Sequence, residues 1–422
     1  MVKDYFERRR TPGRRGGGGD HPEVVRLGRR TLGRAGAATA LAALSSLLPF
    51  APRREAFAQG GAPEQKNVRI GVLPTVGATP IFLAEALGLF AEHGLKVEIV
   101  TNGSWAALQA EAQAGRFDAA QMPAPVPLAL ALAAGEGPPS WTVLAILSLG
   151  GQALTLSVRH KDKRDPHLWR GFRFAVPFAH SMENYLVRYY VAEHGLDPDK
   201  DIRISVVPPN EMAARLKADE IDGFFAPEPF NQRAAADGVG FIYLLSNELW
   251  DGHPDGALAV RSEFAAAHPD AYRALVAAVV EASAFAAKGE HRKEIARTLA
   301  PAKYLNQPES ILEQVLTGTY VDGYGAEKRR DPHRVEFDPY PWDQFAVWIL
   351  TQMKRWGQVG QDIDYARVAR EVFLMADAAA AMKGAGLAPP PDPAKKMIAV
   401  MGKRFFADRP AAYIQTFPIK RI

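Results

Sequence analysis

Two glutamates in the middle of the chain, Glu183 and Glu228, stand where irregular segments run into helical patterns. A carboxylate at such a point can accept hydrogen bonds from a ligand, and a pair can hold a hard metal ion. The plainer alternative is a helix N-terminal acid stabilised by the macrodipole. His180 lies three residues before Glu183. Trp105 and Gln152 carry a different capability. An indole N–H and a primary amide donate uncharged hydrogen bonds, which suits a small oxyanion held without a fixed positive charge. An aromatic wall beside them keeps water off such a ligand. Taken singly, Trp105 at a helix start reads as core and Gln152 as a solvated loop residue.

Reagents for catalysis are missing. The chain has no cysteine, which excludes thiolate nucleophiles, disulfides, thiolate zinc sites and a lipid-modified N-terminal cysteine. There is no P-loop, no H-E-x-x-H and no G-x-S-x-G segment, and the ten histidines are scattered without metal-ligand spacing. Trp342, Trp348 and Trp356 fall on one helical pattern and read as core packing. Binding, not catalysis, is the expected function.

The positioning elements follow from periodicity. Residues 68–73 alternate and are rich in β-branched side chains, 80–90 have helical spacing, and 97–100 are again extended. A strand, loop, helix and strand in this order make a βαβ unit and predict a parallel sheet covered by helices. Further helices are expected at 104–114 and 128–134, with strands at 117–120, 141–147 and 154–158. A second series runs from a strand at 172–176 through helix 183–194, strand 202–206 and helix 211–218 to strand 223–225. Beyond Leu258 the pattern is mainly helical, and a proline-rich stretch at 389–393 opens a tail. In open α/β sheets ligands sit beyond the carboxyl ends of the strands. Here those ends are the loops 75–79, 103–105, 122–127, 150–152, 177–182 and 227–230.

Charge is distributed unevenly over the 422 residues, whose formal net charge is +4. Residues 1–58 hold 12 Lys/Arg against 5 Asp/Glu, and the remainder is slightly acidic, at −3. A nucleic-acid surface needs its basic stripe on the folded body, so that partner class is excluded. The basic leader contains the pair Arg29 and Arg30, followed by an apolar run at 35–48 and a small-x-small site, Ala56 and Ala58 flanking Phe57. That order is a secretory signal cleaved near Ala58. The apolar run is too short to span a hydrocarbon core of about 30 Å. The paired arginines resemble a twin-arginine export signal. The expected mature protein is periplasmic and does not span the membrane.

Several segments together carry a wider resemblance: Ser104-Trp105-Ala106, residues 122–127 with Pro125, Gly151-Gln152-Ala153, Arg188-Tyr189, 195–200, Glu228-Pro229, 248–250 with His253-Pro254, and Pro341-Trp342 running into 347–357. In order and spacing they resemble the periplasmic nitrate- and bicarbonate-binding proteins of ABC transporters, within the nitrate/sulfonate/taurine/thiamine-precursor group. The resemblance implies an α/β type II periplasmic-binding fold with two lobes, a hinge and a cleft between them. We expect lobe 1 at 67–158 and 257–390, lobe 2 at 159–256 and a tail at 391–422. It also implies that Trp105, Gly151 and Gln152 line the ligand cleft, with Pro125, His180, Glu183 and Glu228 beside them.

Two departures bear on the ligand. Glu183 stands where nitrate binders of the family place a cleft histidine, and Asp251, Gly252, Asp255 and Gly256 supply no lysine where one meets the anion. A carboxylate facing a monovalent anion repels it unless protonated or paired with a cation. Bicarbonate, an amine or an amide tolerates Glu183 better than nitrate does. Glu183 and Glu228 are the candidate metal ligands, calcium is the candidate ion, and no cofactor is required. The implied partners are a small-molecule ligand and the permease and ATPase of an importer. The ligand expected is a small oxyanion or related polar solute of the nitrate, nitrite, bicarbonate and cyanate class. A sulfonate, a thiamine-precursor pyrimidine, or a cytosolic sensor of the same fold are the alternatives.

Overall fold

The computed structural model describes residues 61–135, 137–360, 362–391 and 397–421. Arg29, Arg30, Ala56 and Ala58 of the expected signal lie outside these. Two five-stranded sheets organise the chain. The first is built from β1 (Asn67–Val72), β2 (Lys96–Thr101), β3 (Ala119–Pro123), β4 (Trp141–Ile146) and a strand contributed much later, in the order β2-β1-β3-late strand-β4. After β4, the two-residue β5 (Leu149–Gly150) leads into the second sheet. That sheet comprises β6 (Gln152–Ser157), β7 (Arg173–Val176), β8 (Arg203–Val206), β9 (Gly223–Pro227) and β10 (Gly240–Leu245), in the order β10-β6-β9-β7-β8. The chain then returns as β11 (Gly256–Arg261), the late strand between β3 and β4.

The sheets are not purely parallel, as the βαβ pattern predicts, and the exceptions are informative. β1 runs parallel to β2 and β3, whereas β11 is antiparallel to both β3 and β4. β7 runs parallel to β8 and β9, whereas β6 is antiparallel to β9 and β10. Each sheet therefore has one reversed strand, and it is the one entered directly from the other sheet. A chain crossing on the side where the parallel strands end must start its next strand from that side. Gln152 pairs with Pro227 at the end of β9, and Gly256 with Pro123 at the end of β3.

This moves the lobe boundary. The stretch 152–157, expected in lobe 1, belongs to the second sheet, so the crossing falls at Gly150–Gly151. Both glycines have positive φ, and a Cβ on Gly150 would lie 3.0 Å from the Arg334 carbonyl oxygen. Such a backbone suits glycine. β10 and β11 were not expected, and the expected loop 122–127 instead ends β3 and begins a helix at Pro125.

Helices cover both sheets. α1 (Thr79–Ala86), α2 (Trp105–Gln113) and α3 (Pro125–Ala134) follow strands of the first sheet, and α4 (Met182–Glu193) follows β7. Proline at the start of α1 and α3 gives up an N–H that has no helical partner there. The long α5 (Pro269–Ala287) buries one flank against α1. In α6 (Asp343–Arg355), Trp348 is wholly buried, stacked at a tilt on Trp250 and near Tyr189 of α4. One apolar core cluster thus joins both lobes. No helix among the described residues is long and apolar enough to cross a membrane.

The tail folds back. Residues 398–405 form a hairpin, and Tyr413, Ile414 and Phe417 are buried. The Tyr413 hydroxyl lies 3.1 Å from that of Tyr189 and accepts from the Trp348 indole N–H at 3.3 Å. Arg421 bonds Asp197 and Asp199, tying the end of the chain to lobe 2.

Candidate ligand-binding cleft

Both reversed strands begin at the cleft, and their first residues meet there. Gln152 opens β6 and Asp255 immediately precedes β11. The Gln152 amide Nε2 donates to Asp255 Oδ1 at 2.5 Å, and the Ser148 hydroxyl donates to Asp255 Oδ2 at 3.3 Å. Gln152 and Ser148 are fully buried and Asp255 is 8% exposed. An ionised Asp255 only accepts, so in that state the Gln152 amide presents its NH₂ to Asp255 and leaves Oε1 free. Oε1 is buried and has no partner among the described residues.

On the lobe 1 side the wall is another short polar network. Gln121, at the cleft end of β3, accepts from the Leu73 N–H and donates to the Thr75 hydroxyl, both at 3.0 Å. Gly77 leaves room over it. A Cβ there would stand 3.0 Å from Ser148 Oγ, 3.1 Å from Asp255 Oδ2 and 3.5 Å from Thr75 Oγ1.

Glu183 comes in from lobe 2. It lies in the first turn of α4, behind Ser181, whose hydroxyl caps the helix by accepting from the Asn184 N–H. The helix N-terminus makes this a place where a carboxylate is tolerated. Its exposure is 2%. Burial, and then the negative charge of Asp255, push the Glu183 carboxyl well up from its ordinary range. Burial also raises Asp255, to about 7, against the pull of its bonds from Gln152 and Ser148. Two carboxylates so close and so dry cannot both ionise freely. His253, two residues before Asp255, donates from Nδ1 to the Pro254 carbonyl oxygen, 3.0 Å away, and burial pushes its imidazole down to about 4. It is neutral and supplies no counter-charge.

The remaining candidates fall into place differently. Trp105, at the start of α2, is 5% exposed and packs with Leu73, Phe117, Met122 and Val126, with Phe178 of lobe 2 lying against the same cluster. Its cluster adjoins the polar network, since Leu73 and Met122 are neighbours of Thr75 and Gln121. Pro125 begins α3 next to Ala124, whose N–H donates to the Asp255 carbonyl. Gly151 is framework: its N–H donates to Arg334 O and its carbonyl accepts from the Glu228 N–H, both at 2.8 Å. His180 is half-buried and faces the Tyr185 hydroxyl at 3.2 Å, which in turn donates to Gln358.

Glu228 is not a partner for Glu183. It forms a fully buried ion pair with Arg334 at 2.5 Å, and its other oxygen accepts from the Gln232 N–H. Arg334 also donates to Gln232 Oε1 and stacks over Tyr320. The two glutamates expected as metal ligands are therefore not brought together, and Glu183 lies near Asp255 instead. No group of three or more His, Cys, Asp or Glu side chains placed to hold a metal occurs among the described residues. Asp255 escaped the sequence reading because its segment is read there only for a missing lysine, and its partners are about a hundred residues away.

The two lobes touch across the cleft. The Val76 N–H of lobe 1 donates to the Glu228 carbonyl oxygen at 2.8 Å, and the Gln358 amide donates to Ala179 O.

Residues 61–300 match the NMT1-like family. The chain is 30% identical over 401 residues to the bicarbonate-binding protein CmpA of Synechococcus sp., covering 85% of this chain and 88% of that one. It is 33% identical to the bicarbonate transport ATP-binding protein CmpC of Synechocystis sp., of which it spans 58%. The crystal structure of the periplasmic nitrate-binding protein NrtA from Synechocystis superposes with a TM-score of 0.81 at 25% identity, over 85% of this chain and all of that one.

Proposed function

The chain belongs to the NMT1-like family, and on that premise we propose that it is the solute-binding component of an ABC importer. It closes two lobes over a small polar solute of the oxyanion class, or a near relative of it, and does no covalent chemistry. The observation that carries this reading is the convergence of Gln152, Ser148, Asp255 and Glu183, from both lobes, at the carboxyl ends of two α/β sheets. The names of the relatives CmpA, CmpC and NrtA support a transport role, with an ATP-binding protein as partner and the periplasm as location; a permease is the further partner that an importer requires. The basic leader with Arg29 and Arg30 supports export and cleavage near Ala58.

Between the two ligands that the relatives' names give, the carboxylates disfavour nitrate, an acceptor-only anion. Bicarbonate has one O–H to donate. A calcium ion would also fit Glu183, Asp255 and the free Gln152 Oε1, all hard oxygen donors; when bound it would supply positive charge to an approaching anion. Calorimetric titration of the full chain with nitrate, nitrite, bicarbonate and cyanate, with and without calcium, tests the reading. A single saturable site weakened about 5- to 150-fold by Gln152→Ala is expected, the loss of a buried hydrogen-bonding partner being worth about 1–3 kcal/mol. Binding unaffected by that change removes Gln152 from the site.

A further inference from the structure

We propose that this cleft selects a solute whose periphery is made of N–H donors, a guanidinium-, amidinium- or urea-like molecule, over the oxyanions named for its relatives. The inference rests on the binding-protein reading and replaces the oxyanion class given there for the solute.

The inventory of polar atoms at the cleft is one-sided. Asp255 takes one bond at each oxygen, from Gln152 and Ser148, and the Glu183 carboxylate accepts from its own N–H and the Ser181 hydroxyl, which leaves lone pairs over on both groups. The Gln152 Oε1 atom is an acceptor, buried and without a partner. Of the donors nearest to them, Gln152 Nε2 and the Ser148 hydroxyl are spent on Asp255 and Gln121 Nε2 on Thr75, whose hydroxyl proton remains for a guest. Among the described residues no cation is bonded to the two carboxylates. Arg334, the buried guanidinium of this region, is held by Glu228 and Gln232, and His253 gives its one proton to Pro254 O.

A solute enters such a site by matching it. Nitrate would bring three more acceptors and a negative charge to a place that has both in excess, and like charges at close range cost several kcal/mol in a low-dielectric cleft. Bicarbonate can satisfy one acceptor with its single O–H. A planar molecule with two or three amino groups satisfies Asp255, Glu183 and Gln152 Oε1 together. Guanidinium also matches a carboxylate in a fork, with two parallel N–H···O bonds. The cradle is of the right scale. Over Gly77 the atoms Ser148 Oγ, Asp255 Oδ2 and Thr75 Oγ1 all stand within 3.5 Å of one added carbon. Glycine there keeps the acceptors open to a small guest.

The test is titration of the full chain by calorimetry with guanidinium chloride and urea at sub-denaturing concentrations, and with sodium nitrate and sodium bicarbonate, the last also with calcium chloride. At least one nitrogen solute is expected to bind at least about tenfold more tightly than either oxyanion. Glu183→Gln and Asp255→Asn are each expected to weaken it by about tenfold or more, in line with a charge-assisted hydrogen bond. Gly77→Ala, which leaves both carboxylates in place, is expected to weaken it as well, and circular dichroism checks that each variant is folded. An oxyanion that binds more tightly than both nitrogen solutes, with or without calcium, overturns the inference and leaves the importer reading standing. A nitrogen solute whose affinity survives all three substitutions also overturns it, because it then binds elsewhere. If no solute binds, both fall.

Discussion

Asp255 is the residue on which stability and binding pull in opposite directions. Buried beside Glu183, its carboxyl titrates at about 7, against about 3.9 for an unfolded aspartate. The folded state therefore holds its proton longer, and the stability this gives is full below the unfolded value and lost as pH rises through 7. Asp222 works the other way. Burial would raise it, but Arg173, a backbone N–H, His160 and Arg159 hold it far below the ordinary range, so its contribution fades only in acid, below about pH 4. From pH 5 to 6.5 His253, held down to about 4 by burial, loses its penalty as pH rises and works against the cleft pair, and from pH 6.5 to 8 the pair decides. The melting temperature of the ligand-free protein should fall over that interval, and Asp255→Asn should flatten the fall and stabilise the protein at pH 8 by about 1–3 kcal/mol. Thermal melts at the two pH values check this; a variant less stable than the parent at pH 8 refutes it. Glu183 was legible in the sequence because it sits at a helix start next to a recognisable segment. Glu228 was equally visible and misread, since the residue that claims it, Arg334, is 106 positions away.

Among the elements, β6 and β11 explain the site. The sequence shows that 154–158 is an apolar strand, but a fully buried strand carries no face pattern to say which sheet it joins. β11 was hidden more deeply, because its residues, Gly-Ala-Leu-Ala-Val-Arg, lead straight into helical patterns. The order of the βαβ units, by contrast, was readable throughout, with helix ends displaced by a few residues at Gly88 and Pro125. Reversal of these two strands puts their first residues at the carboxyl ends of their neighbours. The turn that makes the first reversal is tight. Gly151 has φ +73°, and a Cβ would meet Val335 Cγ2 at 3.1 Å. Gly151→Ala should cost about 1–2 kcal/mol in denaturant unfolding, from left-handed backbone strain together with the close contact. A smaller loss would mean that the crossing relaxes.

For the molecule as a whole, the described residues join the lobes at the crossings at Gly150–Gly151 and before Gly256, through the stretch 309–335, which packs on β10 and Gln232 of lobe 2, and through the C-terminal segment, which runs from the lobe 1 helices onto α4. The tail could not be placed from sequence, since its few apolar residues carry no sustained period. Only the assembled surface of Tyr189, Trp348 and Arg355 shows what Tyr413 and Phe417 cover. Across the cleft mouth the contact is smaller and of another kind. The Val76 amide proton is held by the opposite lobe, while its neighbours at Thr75 and Ala78 bond within their own loop, to Leu73 O and Thr75 O. That single amide is a built-in reporter of breathing. In heavy water its proton should trade for deuterium each time the halves part, faster than those at 75 and 78, and a captured guest should slow that one signal while leaving the other two nearly unchanged.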